Sequence, residues 1–226
     1  LGQGIGPIHG WISKGITRFI LRLFEGVTIR SDVALDYFSE ISRPLVGSDL
    51  VFCNAPVFKK KSSDRVTIGF NVCDRSYVSL YGDLFQYLKQ AADSVDGLCF
   101  SFPQDHELLE ECGVKSTDVV AINADVYYQQ SSRRYSCLVV SRYHACVWAA
   151  LQGIPFLALA YDEKVVDISH ALKQPCISLF EGGFSLDKVS FLCNGVLEQL
   201  AMYEHHLLTA RDILIRQGEV HKKVLQ

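Results

Sequence analysis

The sequence predicts an α/β protein built on a doubly wound, Rossmann-like parallel sheet, and three observations support this fold class. Short apolar segments rich in Val, Ile, Leu and Phe recur after residue 65. Segments with helical spacing of apolar residues alternate with them, which is typical of a parallel sheet covered by helices on both faces. Apolar residues form 49% and charged residues 21% of the 226-residue chain, a composition typical of a folded globular protein.

Six strands are predicted after residue 65, because each of these apolar runs is short and lacks strict alternation with polar residues. Their predicted bounds are 66–72, 98–102, 119–123, 137–141, 156–161 and 176–179. Helices are predicted at 77–91, 106–112, 143–152 and 164–173, with one or two more over 185–223. Gly113 and Gly153 follow two of these helices and are expected to end them.

The first 64 residues are predicted to be the C-terminal part of a preceding Rossmann-like domain. The expected elements are a helix at 14–25, a strand at 27–30, a helix at 32–41 and a strand at 50–54. These are too few for a whole α/β domain, so we expect this first domain to be incomplete. We therefore divide the chain into a partial N-terminal domain, residues 1–64, and a C-terminal Rossmann-like domain, residues 65–226.

Arginine and histidine side chains follow the fourth predicted strand, at the point where such sheets bind ligands. In the strand order 3-2-1-4-5-6, strands 1 and 4 are neighbours, and the ligand lies between their carboxyl ends. Arg142, Tyr143 and His144 begin the helix after strand 4, while Cys73 follows strand 1. A helix N-terminus favours anions, arginine binds carboxylate or phosphate through two N–H groups, and histidine transfers protons near neutral pH. The open alternative is a structural arginine that pairs across the sheet, with a histidine that caps the helix.

Polar residues also follow other predicted strands. Tyr161 and Lys164 follow strand 5, beside strand 4, and are candidates for substrate binding, whereas a polar turn capped by Asp162 is the alternative. Arg30 ends an N-terminal strand, and a surface ion pair is the alternative for it. Asp105 follows strand 2 and is expected only at the rim of a site.

Charge and cysteine usage argue against several functional classes. The net charge of −3 provides no basic surface for nucleic acid, and no apolar segment approaches the roughly 20 residues that span a bilayer. The eight cysteines form no CxxC pair, which favours free thiols in a reducing, cytoplasmic setting over a metal site or disulfides. His205, His206 and His221 have no cysteine or carboxylate at metal-ligand spacing, so we predict that they face solvent and that no metal is bound.

Several segments, in order, resemble the polysaccharide pyruvyl transferase family. They are Gly-Gln-Gly-Ile-Gly-Pro at 2–7, Thr-Ile-Arg at 28–30, Phe-Pro-Gln-Asp at 102–105, Ser-Arg-Tyr-His-Ala at 141–145, and 153–165. The resemblance covers nearly the whole chain, and it implies two Rossmann-like domains in a GT-B-like arrangement. It also implies that Arg142 and His144 form the donor-site pair and that Arg30 is contributed by the first domain.

The resemblance further implies phosphoenolpyruvate as the donor substrate, without another cofactor, and a pyruvate ketal on a glycan as the product. The acceptor would be a glycan or a lipid-linked or nucleotide-linked sugar, and a lipid-linked acceptor would bring peripheral membrane association. Two rival functions stay open. One is a GT-B glycosyltransferase that uses a nucleotide sugar, and the other is a non-catalytic fragment that binds a glycan or a partner subunit.

Overall fold

The computed structural model describes residues 10–21, 23, 28–29, 45–54, 65–123, 135–180 and 185–224. The chain divides into two compact units, Leu1–Ala55 with Arg211–Gln226, and Pro56–Ala210. The boundary that we place between residues 64 and 65 stays a prediction. In chain order the described elements are α1 (Trp11–Leu21), β1 (Thr28–Ile29), β2 (Leu45–Val46), β3 (Thr67–Asn71), α2 (Val78–Ala91), β4 (Ser94–Cys99), α3 (Gln104–Glu111), β5 (Val119–Ala121), β6 (Cys137–Val140), α4 (Tyr143–Gln152), β7 (Phe156–Ala160), α5 (Glu163–Ala171), β8 (Cys176–Ser178), α6 (Leu186–Glu198), α7 (Leu200–Gly218) and α8 (Val220–Val224).

The unit formed by Pro56–Ala210 contains a six-stranded parallel sheet in the order β5-β4-β3-β6-β7-β8. Numbered from β3, this is the order 3-2-1-4-5-6, so the predicted fold class is confirmed. Asn71 is paired with Val140 at the ends of β3 and β6, the two central strands. The carboxyl ends of both strands therefore meet at one edge of the sheet, which is where the candidate site lies.

Helices cover both faces of this sheet. On one face α2, α3 and α6 pack into an apolar core, in which the Phe70 and Phe85 rings stack 5.9 Å apart. On the other face α4 and α5 pack against each other and against β7. Helix α4 ends as expected at Gly153, whose φ of 68° is left-handed and is easily adopted by glycine.

Two predicted strands differ from the structure. The second strand of the large sheet is Ser94–Cys99 rather than 98–102. Its beginning is polar and exposed, so the apolar pattern of the sequence does not reveal that Ser94 pairs with Thr67. Leu50–Asn54 is a 3-10 helix and not a strand. The Asp49 carboxylate accepts the Val51 amide at 3.1 Å, and the Asp49 carbonyl accepts the Phe52 amide at 2.9 Å, so this acidic residue starts the turn.

In the other unit, β1 and β2 form a short parallel pair, and α8 packs against both strands. His221 of α8 is buried, and its Nε2 donates to the Ser48 carbonyl at 2.7 Å. The prediction that His221 faces solvent is therefore wrong, because the C-terminal helix packs over the segment after β2. Arg30 and the predicted helix at 32–41 lie outside the described residues.

Candidate functional site

Arg142 lies directly after β6, at the carboxyl edge of the large sheet, and is the N-cap residue of α4. Its backbone is extended, with φ −81° and ψ 140°, and its side chain makes no capping hydrogen bond. A guanidinium carries only hydrogen-bond donors and cannot cap the N–H groups of a helix, so it binds an acceptor elsewhere. The first N–H groups of a helix lack intrahelical acceptors and carry partial positive charge, so this position favours an anion.

The partner of Arg142 is Asp105, near the start of α3. Arg142 Nε donates to Asp105 Oδ1 at 2.7 Å and to Oδ2 at 2.9 Å, and Nη2 donates to Oδ1 at 2.5 Å. The Asp105 side chain is fully buried, whereas the Arg142 side chain is 26% exposed. A carboxylate thus holds one edge of the guanidinium, and Nη1 is the nitrogen that Asp105 does not bind.

Asp105 also organises the backbone around it. Its Oδ2 accepts the Phe100 and Ser101 amides at 2.9 and 3.1 Å, and the Asn71 side-chain amide at 3.3 Å. Asn71 at the end of β3 in turn accepts the Arg142 backbone N–H at 3.2 Å. The prediction that Asp105 is only a rim residue is therefore wrong, because it is the buried acceptor that joins three loops.

The Arg142 guanidinium is a permanent cation in this setting. Burial by itself would lower its pKa, but the hydrogen bonds and the charge of Asp105 outweigh burial, so the pKa of Arg142 is raised. Charge-assisted pairs of this kind are short and geometrically specific. The pairing predicted as the structural alternative is thus present, and the cation remains partly open to solvent.

His144 is the exposed residue of α4, whose other residues are buried. The Tyr143 ring is buried and meets the His144 ring edge-on, with the centroids 5.6 Å apart. An imidazole at the first turn of a buried helix therefore has its backbone held in place while its ring reaches solvent. This arrangement suits a group that exchanges a proton with a bound ligand.

Tyr161, Asp162 and Lys164 form a second polar group after β7, the strand beside β6. Asp162 caps α5 by accepting the Val165 amide at 3.2 Å, and its other oxygen binds Lys164 Nζ at 2.8 Å. The Lys164 ammonium also lies 5.4 Å from the centre of the Tyr161 ring. The hydrogen bond that Lys164 donates to Asp162 raises the pKa of Lys164, so this side chain is a second cation at neutral pH.

Cys73 lies among these groups but is not a thiolate. Burial raises the pKa of its thiol to about 12, and the nearby Arg142 charge does not reverse this effect. Cys73 and Tyr161 both lie within electrostatic range of Arg142, which places the residues after β3, β6 and β7 in one neighbourhood. Nucleophilic catalysis through Cys73 at neutral pH is therefore disfavoured.

The carboxylates of this neighbourhood are engaged by the protein itself. Asp105 accepts backbone amides and Arg142, while Asp162 accepts the α5 amide and Lys164. Asp74 accepts the Ser76 amide at 2.9 Å. Arg142 and Asp105, and likewise Lys164 and Asp162, form ion pairs without net charge. The feature of this edge that suits a small anion is the side of the Arg142 guanidinium that Asp105 does not bind, beside the N-terminus of α4.

The structure brings five of the predicted site residues to one edge of the sheet: Arg142, Tyr143, His144, Tyr161 and Lys164. Arg30 lies outside the described residues, so its role stays a prediction. The sequence does not single out Asn71 as a site residue, and it predicts Asp105 only at the rim of a site. The signal for both is positional, since Asn71 ends β3 and Asp105 follows β4, and β3 and β4 are paired neighbours.

Within the described part of the chain, no group of three or more His, Cys, Asp or Glu side chains is placed to hold a metal ion. The described helices include none that is long and apolar enough to cross a membrane. All eight cysteines lie within the described residues and are free thiols.

Solved structures with similar folds are glycosyltransferases of the GT-B type. TarM superposes with a TM-score of 0.61 at 11% identity, over 99% of this chain and 46% of its own. Anabaena HepE in complex with UDP gives 0.59 at 14% identity, over 100% and 69%. Sucrose-phosphate synthase from Thermosynechococcus elongatus gives 0.55 at 13%, over 96% and 60%. The chain thus spans between about half and two thirds of these relatives, and the similarity at such identities shows a GT-B-like, Rossmann-type fold.

Sequence comparison adds the family. No curated protein matches the chain. A family model described as polysaccharide pyruvyl transferase matches residues 1–163, which include the loops that carry Asp105, Arg142 and His144. This chain belongs to the polysaccharide pyruvyl transferase family.

Proposed function

We propose that this protein transfers the pyruvyl group of phosphoenolpyruvate to two hydroxyls of a sugar in a polysaccharide or its precursor, forming a pyruvate ketal. The observation that carries the proposal is the charged, partly exposed Arg142 guanidinium, held by Asp105 at the switch point beside the N-terminus of α4. Membership of the pyruvyl transferase family supports the same reaction.

The proposed reaction needs a site that binds a small polyanion. Phosphoenolpyruvate carries a carboxylate and a phosphate on one short carbon frame, so cations on two sides of a site fix its reacting carbon. A proton adds to the methylene carbon, and one sugar hydroxyl adds to the resulting oxocarbenium-like carbon and loses its proton. The C–O bond to phosphate then breaks, and the second hydroxyl closes the ketal with loss of its proton. The products are the ketal and inorganic phosphate.

Each predicted residue has a role in this proposal. Arg142 binds one of the two anionic groups, and Arg30 supplies a second guanidinium from the first domain. His144 donates the proton that the methylene carbon or the leaving phosphate requires. Tyr143, Tyr161 and Lys164 complete the binding surface, with Lys164 as a further cation.

We further propose a cytoplasmic reaction that uses a lipid-linked or nucleotide-linked sugar, or a glycan, as acceptor. Phosphoenolpyruvate is the donor substrate, and no additional cofactor is required. The free thiols support a reducing compartment. A lipid-linked acceptor would bring the protein to the membrane surface without a spanning helix.

The proposal is tested by incubating the full-length protein with phosphoenolpyruvate and a panel of lipid-linked and nucleotide-linked sugars. Release of inorganic phosphate that depends on one acceptor, with a product heavier by a pyruvyl ketal, is the expected result. Absence of acceptor-dependent phosphate release across the panel, from a protein that binds phosphoenolpyruvate poorly, would contradict the assignment.

A nucleotide-sugar glycosyltransferase is the second candidate, because HepE, which shares the fold, has been solved with UDP-glucose. A thermal-shift comparison separates the two functions. Stabilisation by phosphoenolpyruvate supports the pyruvyl transferase, whereas stabilisation by uridine or guanosine diphosphate sugars alone supports the glycosyltransferase.

A further inference from the structure

Three loops at the carboxyl edge of the large sheet are tied to one carboxylate. Asp105 accepts N–H groups from Arg142 after β6, from Asn71 at the end of β3, and from two backbone amides after β4. Its side chain has no exposed surface. A buried carboxylate is costly unless it is well hydrogen-bonded, and here the hydrogen bonds converge on the loop that carries the proposed donor site.

Both ends of Arg142 are held by this arrangement. The backbone N–H donates to Asn71 Oδ1 at 3.2 Å, and the guanidinium donates through Nε and Nη2 to Asp105. Asn71 and Asp105 are themselves joined, since Asn71 Nδ2 lies 3.3 Å from Asp105 Oδ2. Two hydrogen bonds to one carboxylate define the plane of a guanidinium, which a single contact would leave free to rotate.

We propose that Asp105 is a positioning residue, which together with Asn71 fixes the plane of the Arg142 guanidinium and so presents Nη1 to an anionic group of the substrate in one orientation. The inference rests on the proposed function for the identity of that substrate, and on hydrogen-bond geometry alone for the fixing of Arg142. Asp105 acts through Arg142 and is not itself a substrate ligand, because its oxygens are occupied by protein donors.

The first measurement does not depend on the proposed function. Arginine side chains of the full protein are modified with phenylglyoxal. The rate of modification of Arg142 is measured by peptide mass spectrometry. In Asp105→Asn the guanidinium loses its charged partner, so its modification is expected to become several-fold faster. Arg75 in the same sample is the internal reference, because its own carboxylate partners, Glu107 and Glu111, are unchanged.

Asp212→Asn is the matched control. Asp212 accepts Nε and Nη2 of Arg211 at 3.3 and 3.2 Å, a similar pairing, but its side chain is 59% exposed. This substitution should leave the modification rate at Arg142 unchanged. An equal rate at Arg142 in the wild type and in Asp105→Asn would overturn the positioning role.

The second measurement uses phosphoenolpyruvate itself. Asp105→Asn is expected to weaken its binding by about tenfold or more, since a small misplacement of an orienting group has effects of this order. In an Arg142→Ala background the same Asp105 substitution should cause no further loss. If phenylglyoxal modifies Arg142 faster in Asp105→Asn but the wild type binds no phosphoenolpyruvate, the positioning role stands and the proposed function fails. If the wild type binds and Asp105→Asn neither loses affinity nor changes labelling, the positioning role fails alone.

Asn71→Ser covers the case in which Asp105→Asn does not fold. It keeps the Asp105 carboxylate but removes the amide that joins Asp105 to the Arg142 backbone. Faster phenylglyoxal modification of Arg142 in a cooperatively melting Asn71→Ser protein supports the proposal. A wild-type rate in that protein contradicts it.

Discussion

Replacement of Arg142 by alanine should destabilise the protein as well as inactivate it, because it leaves the buried Asp105 carboxylate without its cationic partner. Breaking a buried ion pair costs about 3–5 kcal/mol. Two features reduce this value here. The Arg142 side chain is 26% exposed, and Asp105 keeps the Phe100 and Ser101 amides and the Asn71 side chain as donors.

We therefore expect a loss of about 2–3 kcal/mol in the free energy of unfolding, which lowers the melting temperature by about 5–10 °C for a chain of this size. The assay is thermal and urea unfolding followed by circular dichroism. Arg75→Ala is the matched control, because Arg75 pairs with Glu111 at 2.6 Å but its side chain is 64% exposed. Such surface pairs contribute about 0–1 kcal/mol.

The double variant Arg142→Ala with Asp105→Asn tests the cause of the loss. If the uncompensated carboxylate is responsible, the double variant should be less destabilised than the sum of the two single variants. Equal stability of Arg142→Ala and Arg75→Ala would refute the reasoning, since Asp105 would then not depend on the guanidinium.

Two further outcomes concern the chemistry of the site. His144→Ala should lower turnover by about 10²–10⁴-fold, the usual contribution of a general acid, while phosphoenolpyruvate binding is retained. The control is His170→Ala, which replaces an exposed histidine at the end of α5. Turnover of His144→Ala within a few-fold of wild type would exclude the role of His144. Cys73 should resist iodoacetamide at pH 8, because a pKa of about 12 instead of 9.0 makes its thiolate fraction about 1000-fold smaller. Labelling of native Cys73 as fast as in the unfolded protein would contradict the raised pKa of its thiol.

The sheet could be predicted in detail because its strands are short apolar runs separated by helices, and because one strand order is usual for this alternation. The bounds of β6, α4 and β7 lie close to the predicted ones for this reason. The beginning of β4 is not predicted because Ser94 and Asp96 interrupt the apolar pattern, although Ser94 pairs with Thr67 of the neighbouring strand β3. Pairing partners compensate there for poor local propensity.

The positions of Arg142 and His144 at the switch point follow from strand counting alone, and the structure confirms the strand order on which that argument depends. Asp105 could not be predicted in the same way. It lies in a polar segment, Pro-Gln-Asp-His-Glu at 103–107, which has the composition of an exposed helix start. Strands β4 and β6 flank β3, and adjacent strands lie about 4.8 Å apart. The loops after β4 and β6 therefore come within reach of one another, and this proximity buries Asp105.

The most direct test of the account is the dissociation constant of phosphoenolpyruvate measured calorimetrically for the full-length wild type and for Arg142→Lys. Lysine keeps the positive charge but cannot donate to Asp105 and to a substrate anion through one planar group. Saturable binding to the wild type, weakened about tenfold or more by Arg142→Lys, is the predicted result. Wild-type affinity in Arg142→Lys, or no binding of phosphoenolpyruvate to either protein, would show that this guanidinium is not the donor anchor.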